Sequence, residues 1–240
     1  MTPRVVAALV ILGASACTSV SQTSTVTPPI ETPAAPASST AVPTTTAVPT
    51  TAAAPTSTAD VATAVTSPPA TSVLFDFADQ GAVDGWGTVD DRVMGGVSSS
   101  TTTWRQGSLV FSGEVSTDNN GGFSSALSGA DEELGRRSAD GTGIRLRANG
   151  DGKTYVLQLR SSGGEPTSYI QRFTTDSGVE RTYDLAFASF EPVTFMLTPL
   201  PDAAPIDPSK ITQIGFYILD RQTGPFALRV ASIETILPTG

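Results

Sequence analysis

The sequence predicts an all-β domain over residues 73–240, built as an antiparallel sandwich or barrel. Three observations predict it. Apolar residues recur with a period of two, as they do in strands that bury one face. Glycine pairs, and glycine next to proline, separate these segments at short intervals. No long segment shows the periodicity of an amphipathic helix, and only residues 130–137 resemble a single helical turn. Many short strands joined by regular turns are typical of sandwiches and barrels.

Several segments carry this alternation most clearly. Ile144 and Leu146, for example, flank Arg145. Each such segment is predicted to be a half-buried strand: residues 109–115, 144–149, 155–160, 183–187 and 226–231. Because each strand has one apolar face, the large side chains of the region should share one core. The predicted core residues are Trp86, Phe111, Phe123, Leu157, Phe216 and Phe226.

Residues 1–16 are predicted to be a signal peptide. Arg4 precedes a short apolar run, and Ala14-Ser15-Ala16 has the small residues of a cleavage site. Cys17 follows at once, a placement typical of bacterial lipoprotein signals, in which this cysteine becomes the lipidated first residue. The alternative is ordinary cleavage that leaves Cys17 as a free thiol. The chain is therefore predicted to be exported and held at the outer face of the cell membrane, or in the envelope, by lipid on Cys17.

Residues 17–72 are predicted to be the lipidated cysteine followed by a disordered linker. The segment after Cys17 contains almost only Thr, Ser, Ala, Pro and Val, and its charged residues are Glu31 and Asp60. It has too little large apolar surface to offset the entropy cost of ordering the chain. We expect a stalk that holds the domain away from the membrane, with O-glycosylation as a further possibility.

The composition excludes several classes of function. The chain has 14 Lys+Arg against 23 Asp+Glu, a net charge of −9, which argues against a nucleic-acid partner. It has no His, so Ser-His-Asp and Cys-His catalysis and His-ligated metal sites are excluded. One Cys allows no intrachain disulfide. Phosphate-binding glycine loops are absent. No cofactor, no metal and no catalytic residue are predicted.

The segment Asp90-Asp91-Arg92-Val93-Met94-Gly95-Gly96-Val97-Ser98 is the most unusual in the chain. In one interpretation it is a recognition loop beside Trp86, shaped by its two glycines. In the other it is a turn whose Asp and Arg side chains make local hydrogen bonds, and this interpretation is favoured. The candidate ligand- or partner-binding residues are Trp86, Asp90, Asp91, Arg92 and Met94.

A family resemblance follows from this segment and from later ones in the same order. The segments are Trp86 with 91–98, then Phe111-Ser112-Gly113, Gly121-Gly122-Phe123-Ser124-Ser125, 150–155, 169–173, 214–216 and 224–228. Together they resemble the complex I intermediate-associated protein 30 family. The resemblance implies a jelly-roll β-sandwich similar to galactose-binding domains. Mitochondrial relatives act as assembly chaperones for respiratory complex I, a role that does not transfer literally to an exported lipoprotein.

Three functions are compared on this basis. The first is a non-enzymatic binding module that engages a protein, with an assembly-factor or chaperone-like role and membrane contact through the lipid anchor only. The second is a carbohydrate-binding module for cell-wall or external glycans, for which Trp86, Trp104 or Tyr217 should line a groove. The third and least favoured is a hydrolase that uses Asp91 or Asp151.

Overall fold

A computed structural model describes residues 69–164 and 168–239. The predicted signal peptide, Cys17 and the predicted linker up to residue 68 lie outside the described residues. The described part of the chain forms strands β1 (Thr71–Asp76), β2 (Gly87–Asp90), β3 (Ser99–Trp104), β4 (Leu109–Val115), β5 (Ser124–Leu127), β6 (Gly143–Asn149), β7 (Thr154–Ser161), β8 (Ser168–Thr174), β9 (Glu180–Ala186), β10 (Glu191–Val193), β11 (Ile211–Ile218) and β12 (Gly224–Ile236), and helix α1 (Glu133–Ser138). Short 3-10 helices lie at Gln80–Val83, Asp91–Met94, Asp118–Asn120, Phe187–Ser189 and Pro208–Lys210.

The strands form two antiparallel sheets. Sheet A has the order β3-β4-β12-β6-β9, and β1 also pairs with β12. Sheet B has the order β10-β8-β7-β11-β5-β2. The two sheets make an all-β sandwich, so the predicted fold class is confirmed.

The long strand β12 organises sheet A. Its first part, Gly224 to Val230, pairs with β4, and its last part, Ser232 to Ile236, pairs with β1. Strand β6 pairs with Arg229 to Ile236 along the other edge, with an irregularity between Val230 and Ser232. The first strand of the domain, β1, is therefore paired directly with the last strand, β12.

The main core lies between the sheets. Phe111 and Phe226 reach it from sheet A, and Leu157 and Phe216 from sheet B. Trp86, with 7% of its surface exposed, stacks on Phe216 with ring centroids 5.7 Å apart and an angle of 15°. These five residues are confirmed as core.

The sixth predicted core residue, Phe123, is not in the main core. It is partly buried and packs on the outer face of sheet B, against a second cluster formed by Val156, Ile170, Val193 and Tyr217. The prediction for Phe123 is wrong because the residue ends the loop before β5, which begins at Ser124, and its ring packs on the outer face of sheet B and not between the sheets.

Candidate functional site

Asp91 lies at the centre of the unusual segment, and its side chain is completely buried. Its carboxylate accepts hydrogen bonds from the backbone N–H of Ser98 (2.9 Å) and from the Ser98 hydroxyl. It also accepts bonds from the backbone N–H groups of Gly122 (2.6 Å) and Phe123 (3.3 Å). The carboxylate therefore joins two loops, which we call the Asp91 loop (residues 91–98) and the Gly121 loop (residues 118–123).

The ionisation of Asp91 follows from these contacts. Burial raises the pKa of the carboxyl, but the hydrogen bonds from Ser98, Gly122 and Phe123 outweigh burial, so its pKa lies below the ordinary value. The group is thus a buried anion whose charge is compensated by backbone and hydroxyl donors. Such a carboxylate is suited to holding a loop and not to accepting a proton from a substrate.

Glycines make room for this anion. Gly95 has a φ of +92°, which favours glycine, and ends the 3-10 helix of the Asp91 loop. A Cβ on Gly96 would lie 2.3 Å from Asp91 Oδ1, and a Cβ on Gly121 would lie 2.5 Å from Asp91 Oδ2. One glycine in each motif, Gly96 and Gly121, is therefore explained by the packing around one carboxylate.

The five predicted binding residues do not form one site in the structure. Asp91 is buried in its network, and Asp90 accepts hydrogen bonds from the backbone N–H (3.0 Å) and hydroxyl of Ser100. Trp86 is in the core, where no ligand reaches it. Arg92 and Met94 are exposed, and of the five only Met94 lines a cleft.

That cleft lies on the outer face of sheet B and has a volume of about 720 Å³. Strands β2, β5, β7 and β11 supply its floor, including Leu127 and Tyr217. The Asp91 loop contributes Val93 and Met94, and the Gly121 loop contributes Phe123. The segment after β10, which we call the Phe195 loop, contributes Phe195, Met196 and Leu197.

Exposed apolar side chains concentrate around this cleft. Among the described residues, eight large apolar side chains are exposed, and five of them line it: Val89, Val93, Met94, Phe195 and Met196. Phe195 is 73% exposed and Val93 is 72% exposed. Contiguous apolar surface of this kind marks interaction sites.

One cation lines the cleft. The Arg160 guanidinium donates Nε–H to Gln158 Oε1 (3.1 Å) and an Nη1–H to Gln213 Oε1 (3.1 Å). It also lies 5.8 Å from the centre of the Phe195 ring. Within the described residues it forms no ion pair, whereas Arg172 on the neighbouring strand is paired with Asp220 at 2.8 Å. Arg160 is therefore fixed in orientation, and no carboxylate of residues 69–164 or 168–239 neutralises it.

The aromatic residues named for a glycan site are distributed differently. Trp86 is in the core, and Trp104 donates its indole N–H to the Phe77 carbonyl (2.8 Å) and does not line the cleft. Tyr217 does line it, with 8% of its surface exposed. The cleft thus lacks a broad tryptophan platform.

The other carboxylate named for catalysis, Asp151, is also used in structural hydrogen bonds. Asp151 accepts hydrogen bonds from the Tyr155 hydroxyl (3.0 Å) and from the backbone N–H groups of Lys153 and Ala227 (both 3.1 Å). Burial, together with Asp151, raises the pKa of Tyr155.

In the part of the chain that is described, no cluster of acidic, Cys or His residues forms a metal site. Over the same residues, no helix is long and apolar enough to cross a bilayer.

Sequence reasoning missed most of the cleft. Val93, Arg160 and the Phe195 loop were not predicted as site residues. The run Phe195-Met196-Leu197, which lies between Thr194 and Thr198, was the available signal, because three consecutive large apolar residues fit neither an alternating strand nor a polar turn.

Comparison with known proteins agrees with this fold. The chain is similar in structure to a family 11 carbohydrate-binding module from Clostridium thermocellum in complex with a β-1,3-1,4-mixed-linked tetrasaccharide. The sequence identity is 19%, the TM-score is 0.51, and the match covers 71% of this chain and 98% of that chain. The family 11 module of the cellulosomal cellulase Lic26A-Cel5E of Clostridium thermocellum has 19% identity and a TM-score of 0.49, with 72% and 97% covered. At this identity the first likeness shows the fold alone.

In sequence, no curated protein matches the chain significantly. The family model of Complex I intermediate-associated protein 30 (CIA30) matches residues 75–230. This range contains the Asp91 loop, the Gly121 loop and nearly all of both sheets. The chain therefore belongs to the Complex I intermediate-associated protein 30 family.

Proposed function

We propose that the chain is a non-enzymatic, protein-binding module with an assembly-factor or chaperone-like role. The observation that carries this proposal is the cleft on sheet B, where five exposed apolar side chains surround an apolar floor. Among the described residues, Arg160 and Tyr217 are the only titratable side chains that line it. These lining residues support binding of an apolar surface and offer no pair of groups for general acid–base chemistry.

The proposal places the module at the outer face of a bacterial membrane. It rests on the signal-like residues 1–16 and on Cys17 directly after them. Lipid on Cys17 would keep the module at the membrane while the Thr- and Pro-rich segment sets its distance from the surface. A partner would then be another protein of the cell envelope.

A glycan ligand is the alternative function. It is favoured by one observation, namely that Tyr217 and the exposed Phe195 ring both line the cleft. Against it, most of the lining is aliphatic or methionine, and the Ser125 hydroxyl already donates to the Val89 carbonyl at 2.8 Å. A sugar would find few free donors and acceptors for its hydroxyl groups.

Site-specific photo-crosslinking tests the proposal. A photoreactive amino acid is placed at Phe195 in the full chain, in the cells that make it, and a matched variant carries it at Val179, which is exposed and apolar but outside the cleft. We expect a discrete protein adduct from position 195 and none from position 179. Adducts of equal yield from both positions would refute protein binding at the cleft. No adduct from position 195, together with retention of the chain on mixed-linkage β-glucan, would refute the protein-binding role and support the glycan alternative.

A further inference from the structure

We infer that the partner element bound by the cleft is an amphipathic helix that carries a carboxylate, and that Arg160 binds this carboxylate. The inference rests on the protein-binding function proposed above and adds the chemistry of the partner.

The position of the cleft on a sheet face argues for a helix. Strands β5, β11 and β7 each have a paired strand on both sides in sheet B, and of the floor strands only β2 is an edge strand, so most backbone N–H and C=O groups of the floor are already used within the sheet. An extended segment lying on this face would bury its own backbone groups without partners, at a cost for each of them. A helix satisfies its backbone internally and presents only side chains to such a surface.

The lining fits the apolar face of such a helix. The Asp91 loop follows β2 at one edge of sheet B, and the Phe195 loop follows β10 at the other edge. Each loop presents a methionine to the cleft, Met94 and Met196. Unbranched thioether side chains adapt to the irregular side chains of a bound helix. The apolar side chains thus form two flexible rims around the firmer floor of Leu127 and Tyr217.

The charge of Arg160 specifies the polar feature of the partner. Its guanidinium is held by Gln158 and Gln213, which are neutral, and no carboxylate among the described residues pairs with it. Covering this cation with an entirely apolar helix would remove water from a charge that no described carboxylate compensates, which is costly. A carboxylate on the helix compensates the charge through a charge-assisted hydrogen bond. Charge complementarity therefore selects an acidic residue on the apolar face of the partner.

Peptide selection tests the inference. A displayed library of random peptides about 20 residues long is selected on the immobilised full chain, and one selected peptide is synthesised with its acidic residue and with Gln in that place. We expect selected sequences to carry apolar residues at helical spacing and one carboxylate. We expect the Gln peptide to bind about tenfold more weakly than the acidic peptide to the unmodified chain. With Arg160→Gln the two peptides should bind equally, whereas with the matched control Arg172→Gln the tenfold difference should remain.

Three outcomes would overturn the inference. The first is selected peptides with alternating apolar residues, which is the pattern of a strand and not of a helix. The second is a preference for the acidic peptide that persists with Arg160→Gln. The third is a full-chain dimer that Phe195→Glu dissociates, since a second copy would then occupy the cleft. If Arg160→Gln lowers the melting temperature sharply, Arg160→Lys replaces it and should retain part of the preference. If one of these outcomes is found together with a protein adduct from position 195, the proposed protein-binding function is retained and only the helical, acidic character of the bound element is refuted. Absence of both an adduct and a selected helix removes both.

Discussion

The backbone N–H of Gly122 donates a hydrogen bond to the carboxylate of Asp91 across 2.6 Å, although the two residues lie 31 positions apart in the chain. This bond ties the Gly121 loop to the Asp91 loop beside the cleft. It places Phe123 from one loop and Met94 from the other in the same apolar surface. In the proposed function the buried carboxylate acts indirectly, by holding the loops that carry the exposed side chains.

Asp91→Asn should destabilise the domain by about 2–3 kcal/mol, because the amide cannot accept all of the bonds from Ser98, Gly122 and Phe123 and adds donors without acceptors. Urea unfolding followed by fluorescence measures the change. Asp118→Asn, an exposed carboxylate in the Gly121 loop, is the control and should stay within about 0.5 kcal/mol of the parent. Equal stability of the two variants would contradict the structural role of Asp91.

The stability of the domain should depend on pH in a window that Asp91 helps to set. Its pKa is lowered in the folded state, so the stabilisation from its ionised form is fully present above the unfolded pKa of about 3.9 and is lost as pH falls through the folded pKa. Hydrogen bonding to Arg145 lowers the pKa of Asp184 in the same direction. The melting temperature should therefore fall below about pH 4. The fall should be shallower, but still present, in Asp91→Asn. Identical pH profiles of the two proteins would rule out the Asp91 contribution.

Gly96→Ala should cost about 1–3 kcal/mol, because the new Cβ would lie 2.3 Å from Asp91 Oδ1 and must displace the carboxylate from its donors. Gly87→Ala is the matched control, since a Cβ there meets nothing within 4 Å. Chemical denaturation of both variants provides the comparison. A Gly96→Ala protein as stable as the control would show that the loop can shift without loss.

Trp86→Ala should cost about 3–5 kcal/mol, because the indole fills the core between Phe75, Phe77 and Phe216. Phe195→Ala removes a ring that is 73% exposed and should change stability by less than about 0.5 kcal/mol. The same unfolding experiment on the two variants separates a core aromatic from a surface one. A small effect at Trp86 would return it to the candidate binding residues.

Cys17→Ser should release the chain from the membrane fraction into the soluble fraction, because it removes the proposed site of lipid attachment. Globomycin blocks the cleavage of lipoprotein signal peptides. In its presence the chain without the Cys17→Ser substitution should keep residues 1–16. Fractionation, immunoblotting and intact-mass measurement of the purified chain check the change. Unaltered membrane association of Cys17→Ser would defeat the lipidation proposal.

The class of fold can be predicted from the pattern of apolar residues alone. Alternation in residues 109–115 and 144–149 predicted β4 and β6 closely. Successive side chains of a strand point to opposite faces, so a strand with one buried face alternates between apolar and polar residues. Alternation did not reveal β3, whose residues Ser99–Trp104 are mostly Ser and Thr at the edge of sheet A. It did not reveal β11 either, because Ile214 to Ile218 are buried on both faces and therefore do not alternate between apolar and polar residues. The sequence also showed that residues 91–98 are unusual.

The packing of residues 91–98, in contrast, depends on contacts with segments distant in the chain. The Asp91 carboxylate leaves no room for a Cβ at Gly96 or at Gly121. Because Gly121 belongs to a different loop, this contact cannot be predicted from the local sequence around Asp91. The cleft arises in the same way, because Met94, Arg160 and Phe195 come from separate parts of the chain and meet only when sheet B forms. Alternation along a strand predicts that one face is apolar, but the side chains that extend the outer face of a sheet into a binding surface come from loops, whose placement depends on the whole fold.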